Sequence, residues 1–398
     1  MSVFLVTSVV AFGVWIVVGD ESGTAVHGHG NAAVVDGSQD QSVAQQIPVA
    51  TEPLRESERF VTVGIPQGAY TPASQNGAND DYRCFLVDPR LDSDAFITGV
   101  QFLPGNAEIV HHAILYRAPV DQLAAARSLD AGEDGQGWSC FGGPGLDGDD
   151  QARVAALDSA PWLAGWAPGG AERTYAPGLG VHVDADSQVI MQVHYNLNGG
   201  SGSDSTRVRL RVVPGELPLT PLETMLLPAP VELPCSDGQA GRLCHRSNAV
   251  LDVLHRFGEN TGRTVAGLQL LCGGDPGAPR AGAMQSCDRR IDEPATIFAA
   301  AGHMHLLGKT IRIELNPGTA QARTMLDIPV WDFDNQGARP LAEPVQVGPG
   351  DTVRVTCTHD AGLRDLLPAF EGEPDRYVVW GEGTTDEMCL GILVYARR

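Results

Sequence analysis

The stretch "TIFAAAGHMHLLG", residues 296–308, decides the fold class and raises the question of chemistry. It is a short apolar segment that ends at a glycine, which is typical of a β-strand followed by a turn. Side chains of an extended strand alternate between two faces, so the imidazoles of His303 and His305 project to the same side. This spacing predicts a two-histidine metal clamp, although two surface histidines on a solvated strand would have the same spacing.

Segments of the same kind lie on both sides of this one. "AFITGVQFL", "EIVHHAILYR" and "TRVRLRVV" precede it, and "KTIRIELNP", "DTVRVTCTHD" and "CLGILVYA" follow it. Because Pro, Gly, Asn and Asp separate these runs, we predict an all-β fold of antiparallel strands. Within it, "VHVDADSQVIMQVHY" predicts a hairpin with its turn near Asp184 to Ser187. Helical periodicity is weak, and residues 120–127 are the best helix candidate.

The chain divides into four predicted regions. An apolar run from Val3 to Val18 is typical of an export signal, but no Lys or Arg precedes it and no clear cleavage site follows, so an uncleaved anchor is the alternative. Gly-, Ala-, Ser-, Gln- and Asp-rich sequence follows, and a Pro-rich stretch from Pro214 to Pro230 separates two β units. The predicted regions are a signal peptide or membrane anchor (1–19), a flexible linker (20–58), an N-terminal domain (59–213) and a C-terminal domain (214–398).

Composition limits the partners of the protein. The chain has 398 residues, of which 43% are hydrophobic, so it is long enough to bury two cores. Its formal net charge of -22 argues against nucleic acid and anionic membranes as partners. We expect a small-molecule substrate, and membrane contact only through the possible N-terminal anchor. The sequence leaves the oligomeric state open.

The cysteines indicate an oxidising compartment. All eight follow the apolar run, and their even number predicts four disulfides. The sequence contains no CxxC pair, which argues against the competing use of cysteines in zinc sites. Their number leaves the connectivity open. We predict a secreted, periplasmic or cell-surface protein.

Further potential metal ligands lie in strand-like segments. They are His111 and His112 in "VHHAILYR", His194 in "MQVHYN" and Met388 in "TTDEMCLGI". Adjacent side chains of a regular strand face opposite ways, so His111 and His112 can share one metal only at a bulge or a strand end. We predict such an irregularity. The alternative is that one of these two histidines is structural.

In their order along the chain, "VHHAILYR", "QVHY", "GHMHLLGK", "WDFDNQ" and "TTDEMC" resemble the copper type II, ascorbate-dependent monooxygenases. This family includes the peptide α-hydroxylating and dopamine β-monooxygenases, and the resemblance covers residues 59 to 398. It implies an electron-donating copper and, across a solvent-filled gap, a second copper where dioxygen and substrate react. The implied ligands are His111, His112 and His194 for the first copper, and His303, His305 and Met388 for the second.

The resemblance also implies the disulfides. Cys84 with Cys140, and Cys357 with Cys389, match pairs of the family. Cys287 aligns with a family cysteine whose usual partner near the C-terminus is absent here, so we expect it to pair with Cys272. Cys235 and Cys244 then form the remaining pair.

The chemistry of the ligands supports copper independently. A thioether is a soft ligand, so two imidazoles with Met388 suit copper, and Cu(I) in particular, better than magnesium or calcium. Three histidines alone would also describe a catalytic zinc site with an open position. Near the ligands, Asp386 and Glu387 either orient the Met388 loop or cap a turn, and Gln336 either supports a ligand or forms a turn.

The resemblance breaks down at the residues that bind peptide substrates. Peptide-amidating members have an arginine two residues before the first histidine of HxH, and an asparagine and a tyrosine after the Met-Cys pair. This chain has Ala301, Leu390 and Ile392 at those positions. A substrate carboxylate would lose its bidentate partner. We therefore expect a substrate that is smaller or more apolar than a C-terminal glycine peptide.

These observations together predict an exported protein of two consecutive jelly-roll-like β-sandwiches. It would hydroxylate a C–H bond of a small organic substrate with O2, two copper ions and an external reductant such as ascorbate. Two alternatives come from other classes of protein. One is a non-catalytic copper-binding or copper-sensing protein with the same fold, and the other is a zinc hydrolase that uses the three-histidine site.

Overall fold

The structure, a computed structural model, describes residues 52–75, 79–146 and 160–398. The predicted signal or anchor and most of the predicted linker lie outside the described residues. The predicted all-β fold is confirmed, because the described chain is built mostly of antiparallel, sandwich-like sheets. In the described ranges, no helix has both the length and the apolar character needed to cross a bilayer.

The N-terminal strands form two sheets around one hydrophobic core. They are β1 (Arg59–Gly64), β2 (Asp80–Val87), β3 (Ala95–Leu103), β4 (Val110–Ala118), β5 (Trp138–Ser139), β6 (Trp162–Trp166), β7 (Arg173–Thr174), β8 (Leu179–Val183), β9 (Gln188–Asn196), β10 (Arg207–Pro214) and β11 (Thr220–Pro221). One sheet has the order β1-β10-β3-β8-β11, with β7 also paired to β3, and the other has the order β5-β2-β9-β4-β6.

The predicted hairpin of β8 and β9 is wrong. The turn forms, since the amide of Ser187 donates to the carbonyl of Asp184, but β8 pairs with β3 whereas β9 pairs with β2 and β4. The turn is tied to the chain before β3, because Ala185 N donates to Asp94 Oδ1 at 2.8 Å. It therefore directs the chain from one sheet to the other. Alternating apolar residues predict each strand, but they do not specify its partner.

The C-terminal strands form a second sandwich with its own core. They are β12 (Glu223–Pro228), β13 (Glu232–Leu233), β14 (Met284–Arg290), β15 (Ala295–His303), β16 (Gly308–Leu315), β17 (Arg323–Ile328), β18 (Arg339–Val347), β19 (Thr352–His359), β20 (Val378–Val379) and β21 (Leu390–Arg397). The sheet orders are β12-β21-β15-β18 and β14-β19-β16-β17, and β13 pairs with β20.

The last strand, β21, contributes to both cores. Leu393 and Tyr395 pack in the C-terminal core, whereas Val394 and Ala396 pack in the N-terminal core. Since alternate residues of a strand face opposite ways, one face of this sheet covers its partner sheet and the other face contacts the N-terminal strands. The two-sided burial explains why the run "CLGILVYA" is almost continuously apolar.

Helices interrupt the strands at two places. They are α1 (Leu123–Ala131), α2 (Arg246–Phe257) and α3 (Glu259–Leu271), with 3-10 turns at Val120–Gln122, Arg242–Cys244, Ala361–Asp365 and Pro368–Phe370. The first helix overlaps the predicted candidate at residues 120–127. The other two were missed, although the four-residue spacing of Ala249, Val253 and Phe257 places these buried side chains on one helix face.

The structure gives detail at two predicted boundaries, and the four-region division itself stays a prediction. At the end of the predicted linker, Glu58 is held by hydrogen bonds from Thr98 and from the buried guanidinium of Arg211. Strand β11, beyond residue 213, still pairs with β8 of the N-terminal strands. The change from the N-terminal to the C-terminal sheets therefore occurs between β11 and β12.

The eight cysteines form four disulfides in the structure. The pairs are Cys84–Cys140, Cys235–Cys244, Cys272–Cys287 and Cys357–Cys389. They are the pairs that the resemblance implied. The last of them joins β19 to the residue that follows Met388.

We expect purified protein made under oxidising conditions to contain no titratable thiol in denaturant, because no cysteine is free. After reduction, the same titration should find eight thiols. Thiol titration with and without reductant is the measurement. Several thiols in the unreduced sample would contradict both the pairing and the prediction of an oxidising compartment.

Candidate metal centre

A local irregularity brings three imidazoles together on neighbouring strands β4 and β9. The pairing register of β4 on β9 shifts between Val110 and His112, which is the predicted break in strand alternation. The bulge allows His111 and His112 to face the same side, towards His194. Their Nδ1 atoms lie 3.2 Å (His111 to His194), 3.3 Å (His112 to His111) and 3.3 Å (His194 to His112) apart.

This triangle of nitrogens fits a metal ion. The centre of a triangle with these edges lies about 1.9 Å from each corner, close to the metal–imidazole distance of about 2.0 Å. Burial, followed by the neighbouring His194, holds the pKa of His111 and of His112 well below the usual range. These imidazoles are therefore neutral at pH 7, which is the form that binds metals.

A carboxylate selects the tautomer of His194. The Nε2 of His194 donates to Asp80 Oδ1 at 2.8 Å, so its Nδ1 presents a lone pair to the triangle. The ring is also stacked on Tyr82, with centroids 4.0 Å apart. The orientation of the His194 ring is thus fixed by the hydrogen bond to Asp80 at its edge and by the Tyr82 ring on its face.

The second pair of histidines lies at the end of β15. This strand ends at His303, so His305 lies in the turn before β16, and the expectation of one continuous strand through both histidines is wrong. The two rings are nevertheless close, with centroids 5.1 Å apart. Nδ1 of His303 lies 2.6 Å from Gln336 Oε1, and donation there leaves Nε2 as the ligand atom. Gln336 therefore orients the ring of His303, one of the predicted ligands.

The ring nitrogens of His305 are buried and have no hydrogen-bond partner among the described residues. The residue as a whole is fully buried. Unpaired buried polar groups are costly, so native structures rarely retain them. A metal ion bound to this ring would satisfy one of the two nitrogens.

Two glycines allow the sheets to approach at this point. Gly302 lies opposite Gly391 on β21. A Cβ at Gly302 would come within 2.7 Å of Ile311 on the partner sheet, and one at Gly391 within 3.0 Å of Ile313. Because neither glycine has a side chain, the ends of β15 and β21 pack closely against β16.

The buried carboxylate of Glu387 connects the Met388 loop to the His305 turn. Glu387 Oε2 accepts from the amides of His305 at 3.0 Å and Met388 at 3.2 Å, and Oε1 accepts from Leu307 N at 2.5 Å. The backbone of Met388 is therefore held beside the turn that carries His305. Glu387 therefore has both of the roles considered for it, because it caps the turn after β15 and holds the backbone of Met388.

His359 supports the same loop from the opposite side. Its Nε2 lies 3.3 Å from Glu387 Oε2 and 3.2 Å from the carbonyl oxygen of Met388. Burial is the largest single influence on the pKa of His359 and lowers it, but the Glu387 carboxylate and the backbone hydrogen bonds at Met388 and Ala283 together raise it, so the net shift is upward. His359 thus helps to hold the loop that carries Met388.

The two groups of imidazoles lie in contact. Ring centroids of His112 and His303 are 5.4 Å apart, and those of His111 and His303 are 6.5 Å apart. The solvent-filled gap that the resemblance implied is therefore not present here. The loop after β17 contributes to the closure, because Phe333 stacks on His111 with centroids 4.3 Å apart.

Sequence reasoning missed Asp80. Its partners His194 and Thr384 are 114 and 304 residues away along the chain. Nothing in the spacing of "NDDYRC" distinguishes a carboxylate that supports a ligand from one that faces solvent. A contact of this kind is visible only once the strands have been paired.

The C-terminal part of the chain is similar to a known family. Residues 281–398 match the family described as copper type II ascorbate-dependent monooxygenase, C-terminal domain. The match confirms the predicted resemblance for this part of the chain, which contains His303, His305 and Met388. No curated protein matches the chain.

Solved structures give only distant similarities. The major capsid protein P2 of bacteriophage PM2 is 7% identical, with 85% of this chain and 97% of that chain covered and a TM-score of 0.29. An allantoicase is 10% identical (86% and 90% covered, TM-score 0.19), and a fucolectin from striped bass serum is 8% identical (86% and 97% covered, TM-score 0.17). TM-scores this low carry no argument about fold or function.

The buried imidazoles predict how the metal-free protein responds to acid. Burial, with help from His305, lowers the pKa of His303 to about 3, whereas the unfolded chain has a value of about 6.5. The unfolded state therefore binds more protons, so the contribution of His303 is complete above pH 6.5 and is lost as the pH falls from 6.5 towards 3. At pH 5 we expect His303 alone to cost about 1–2 kcal/mol of the free energy of unfolding.

Denaturant unfolding of the metal-free protein at pH 7 and pH 5 measures this loss. His303→Gln should reduce the difference between the two pH values, because glutamine does not titrate. His255→Gln on the exposed face of α2 is the control. Equal differences in the wild type and His303→Gln would contradict the assignment.

Proposed function

We propose that this protein is a copper-dependent monooxygenase that hydroxylates a C–H bond of a small apolar substrate. In this reaction one C–H bond and one dioxygen give a C–OH group and one water, and an external reductant such as ascorbate supplies two electrons, with two protons from solvent. The observation that carries the proposal is the contact between two imidazole groups beside the Met388 loop, one of them in the part of the chain that matches the family.

The donor set favours copper over the metals that compete for such sites. Neutral imidazoles and a thioether are soft or borderline ligands, which Cu(I) accepts more readily than magnesium or calcium does. Copper bound by these ligands would supply the one-electron chemistry that dioxygen activation requires. The protein's part is to hold the ligands and to position the substrate.

The proposed ligands fall into two sets. The first consists of His111, His112 and His194, whose Nδ1 atoms already converge on one point. The second consists of His303, His305 and Met388, with Gln336 and Glu387 as their supports. Because His112 and His303 lie in ring contact, an electron exchanged between the sites would travel through imidazoles rather than across a wide gap.

The surface next to His303 supports an apolar substrate. Ala301 lies opposite Ile392, and His303 lies opposite Leu390, in the β15–β21 pair. Leu226 on β12 lies opposite Ile392 on the other side. Directly opposed residues and alternate residues of a strand share a face, so these aliphatic side chains surround His303 on one face of the sheet. A hydrocarbon group would bind there without leaving a charge unpaired.

We further propose that the protein is exported and acts on a small molecule. The four disulfides fit an oxidising compartment. The division into two copper-binding domains at residues 59–213 and 214–398 is part of the same proposal. Its support is that each half contributes its own histidines and most of the residues of one hydrophobic core.

Met388→Leu tests the second ligand set. Leucine has a similar volume and is apolar, so the free energy of unfolding should change by less than about 1.5 kcal/mol. Copper affinity at this site and ascorbate-driven oxygen consumption should both fall, because the soft sulfur is lost. Copper stoichiometry, melting temperature and oxygen uptake are compared with the wild type, and hydroxylated product is detected by mass. Turnover at the wild-type rate would mean that Met388 is not a ligand.

His194→Ala tests the first ligand set. The variant should lose affinity for one copper while the second copper remains bound, because the remaining two imidazoles of the triangle hold an ion less well. Metal analysis after dialysis measures the stoichiometry. Two coppers in the wild type without oxygen uptake, over a screen of phenethylamines, short peptides and small apolar compounds, would favour a copper-binding protein. Zinc alone would favour the hydrolase.

A further inference from the structure

We propose that Asp80 is a positioning residue that orients His194 for metal binding and couples the three-histidine site to the loop that carries Met388. Asp80 Oδ1 accepts from His194 Nε2 at 2.8 Å, from Thr384 N at 3.1 Å and from Thr384 Oγ1 at 2.7 Å. The inference rests on the metal sites of the proposed function but not on turnover.

The environment makes this hydrogen bond strong. Asp80 is 2% exposed, and His194 and Thr384 are fully buried, so water does not compete for the carboxylate. An anionic acceptor on Nε2 increases the basicity of the ring, and therefore the ability of Nδ1 to bind a metal. It also favours Cu(II) over Cu(I), because the added negative charge stabilises the higher oxidation state.

The same oxygen joins the two halves of the molecule. Asp80 begins β2, in the sheet that carries His194, whereas Thr384 belongs to the loop before β21. In that loop Asp386 forms a two-bond ion pair with Arg256 of α2, at 2.6 and 2.7 Å. Thr384 is thus held at one end of a short, rigid segment whose other end is Met388.

The two sites are coupled through Asp80 Oδ1, which accepts hydrogen bonds from His194 and from Thr384. A metal ion on Nδ1 withdraws electrons from the His194 ring, so Nε2–H becomes a stronger donor to Asp80 Oδ1. The two bonds from Thr384 depend on the same oxygen and must adjust. Occupancy of the three-histidine site therefore alters the strength of the hydrogen bonds that anchor the Met388 loop at Thr384, and by reciprocity occupancy of the second site alters copper affinity at the first.

The neighbouring carboxylate provides a matched control. Asp81 is also fully buried in β2, but its bonds come from Tyr70 Oη at 2.8 Å, Ala73 N at 3.1 Å and Gln75 Nε2 at 2.9 Å, all within the N-terminal half. Strand alternation points it to the opposite face from Asp80. Replacing either carboxylate should destabilise the fold, but Asp81 acts on His194 only through its charge, so copper affinity should respond much more strongly to the loss of Asp80, which bonds to the ring.

The first experiment compares Asp80→Ala and Asp80→Asn with Asp81→Asn in the full chain. Copper affinities come from chelator competition, and the reduction potential and EPR spectrum are recorded for the three-histidine copper. We expect affinity for Cu(II) there to fall about 10- to 100-fold in Asp80→Ala, and less in Asp80→Asn, which keeps a neutral acceptor. The potential should rise in both variants. If Asp80→Ala does not fold, Asp80→Asn decides.

The second experiment is a double-mutant cycle between His112→Ala, which empties the three-histidine site, and Thr384→Val, which removes the hydroxyl bond to Asp80. Copper affinity at the second site is measured in each protein. In the wild-type background, emptying the first site should change this affinity by about fivefold or more. In the Thr384→Val background the change should be smaller, and what remains is the part carried by the direct ring contact of His112 with His303. Thr385→Val is the control, since Thr385 is also buried and has no hydrogen bond to Asp80.

Each outcome decides a separate claim. The positioning role would be overturned if Asp80→Asn and Asp81→Asn had the same copper affinity and the same reduction potential. The coupling would be overturned if the effects of His112→Ala and Thr384→Val on copper affinity at the second site were additive. If wild-type protein takes up oxygen while Asp80→Asn matches its control, the proposed function stands and this inference fails. If copper affinity depends on Asp80 but no substrate is oxygenated, the inference stands and the monooxygenase proposal fails.

Discussion

The burial of the Glu387 carboxylate is the constraint on which the site depends. A carboxylate taken out of water costs several kcal/mol unless hydrogen bonds compensate it. Glu387 is compensated by the amides of His305, Leu307 and Met388, and by His359. If these groups moved apart, the Glu387 carboxylate would either become exposed to water or stay buried without hydrogen bonds. The turn after β15 and the loop before β21 are therefore fixed relative to each other before any metal binds.

Two further buried carboxylates hold the same loop. Asp386 is bound in bidentate fashion by Arg256, and this guanidinium, together with Arg376, keeps the pKa of Asp386 below its usual range in spite of its burial. Asp80 reaches the loop at Thr384 from the other half of the molecule. The loop thus has anchors from a helix, a turn and a distant strand. Positions fixed in this way provide the preorganisation that a low-coordinate metal site requires.

Closure of the two imidazole groups has an electrostatic consequence. Burial is the largest cause of the lowered pKa of His111, His112, His303 and His305, and for each of them another histidine lowers it further. A protonated ring in one group would repel a cation in the other. The described cluster is therefore neutral at pH 7, and a metal ion bound to it would compete with the protons that destabilise the fold in acid.

The sequence by itself determined the features that depend on local geometry. Strand alternation predicted the all-β class, and the incompatibility of two adjacent histidines with one metal predicted the bulge at His111 and His112. The predicted ligands, and with them the predicted preference for copper, follow from the residue types, while the disulfide pairs came from a family resemblance. The amphipathic spacing in α2 was also readable, although it was missed.

Tertiary structure alone decided which strands pair and which distant groups meet. Strands β8 and β9 have the pattern of a hairpin, yet the contacts of the turn with the chain before β3 send them to different sheets. Asp80, His359 and Thr384 acquire their roles from partners that lie far away in sequence, and the closure between His112 and His303 depends on how the two halves pack. Periodicity is a property of neighbouring residues, whereas these contacts depend on the packing of whole sheets, which no local spacing encodes.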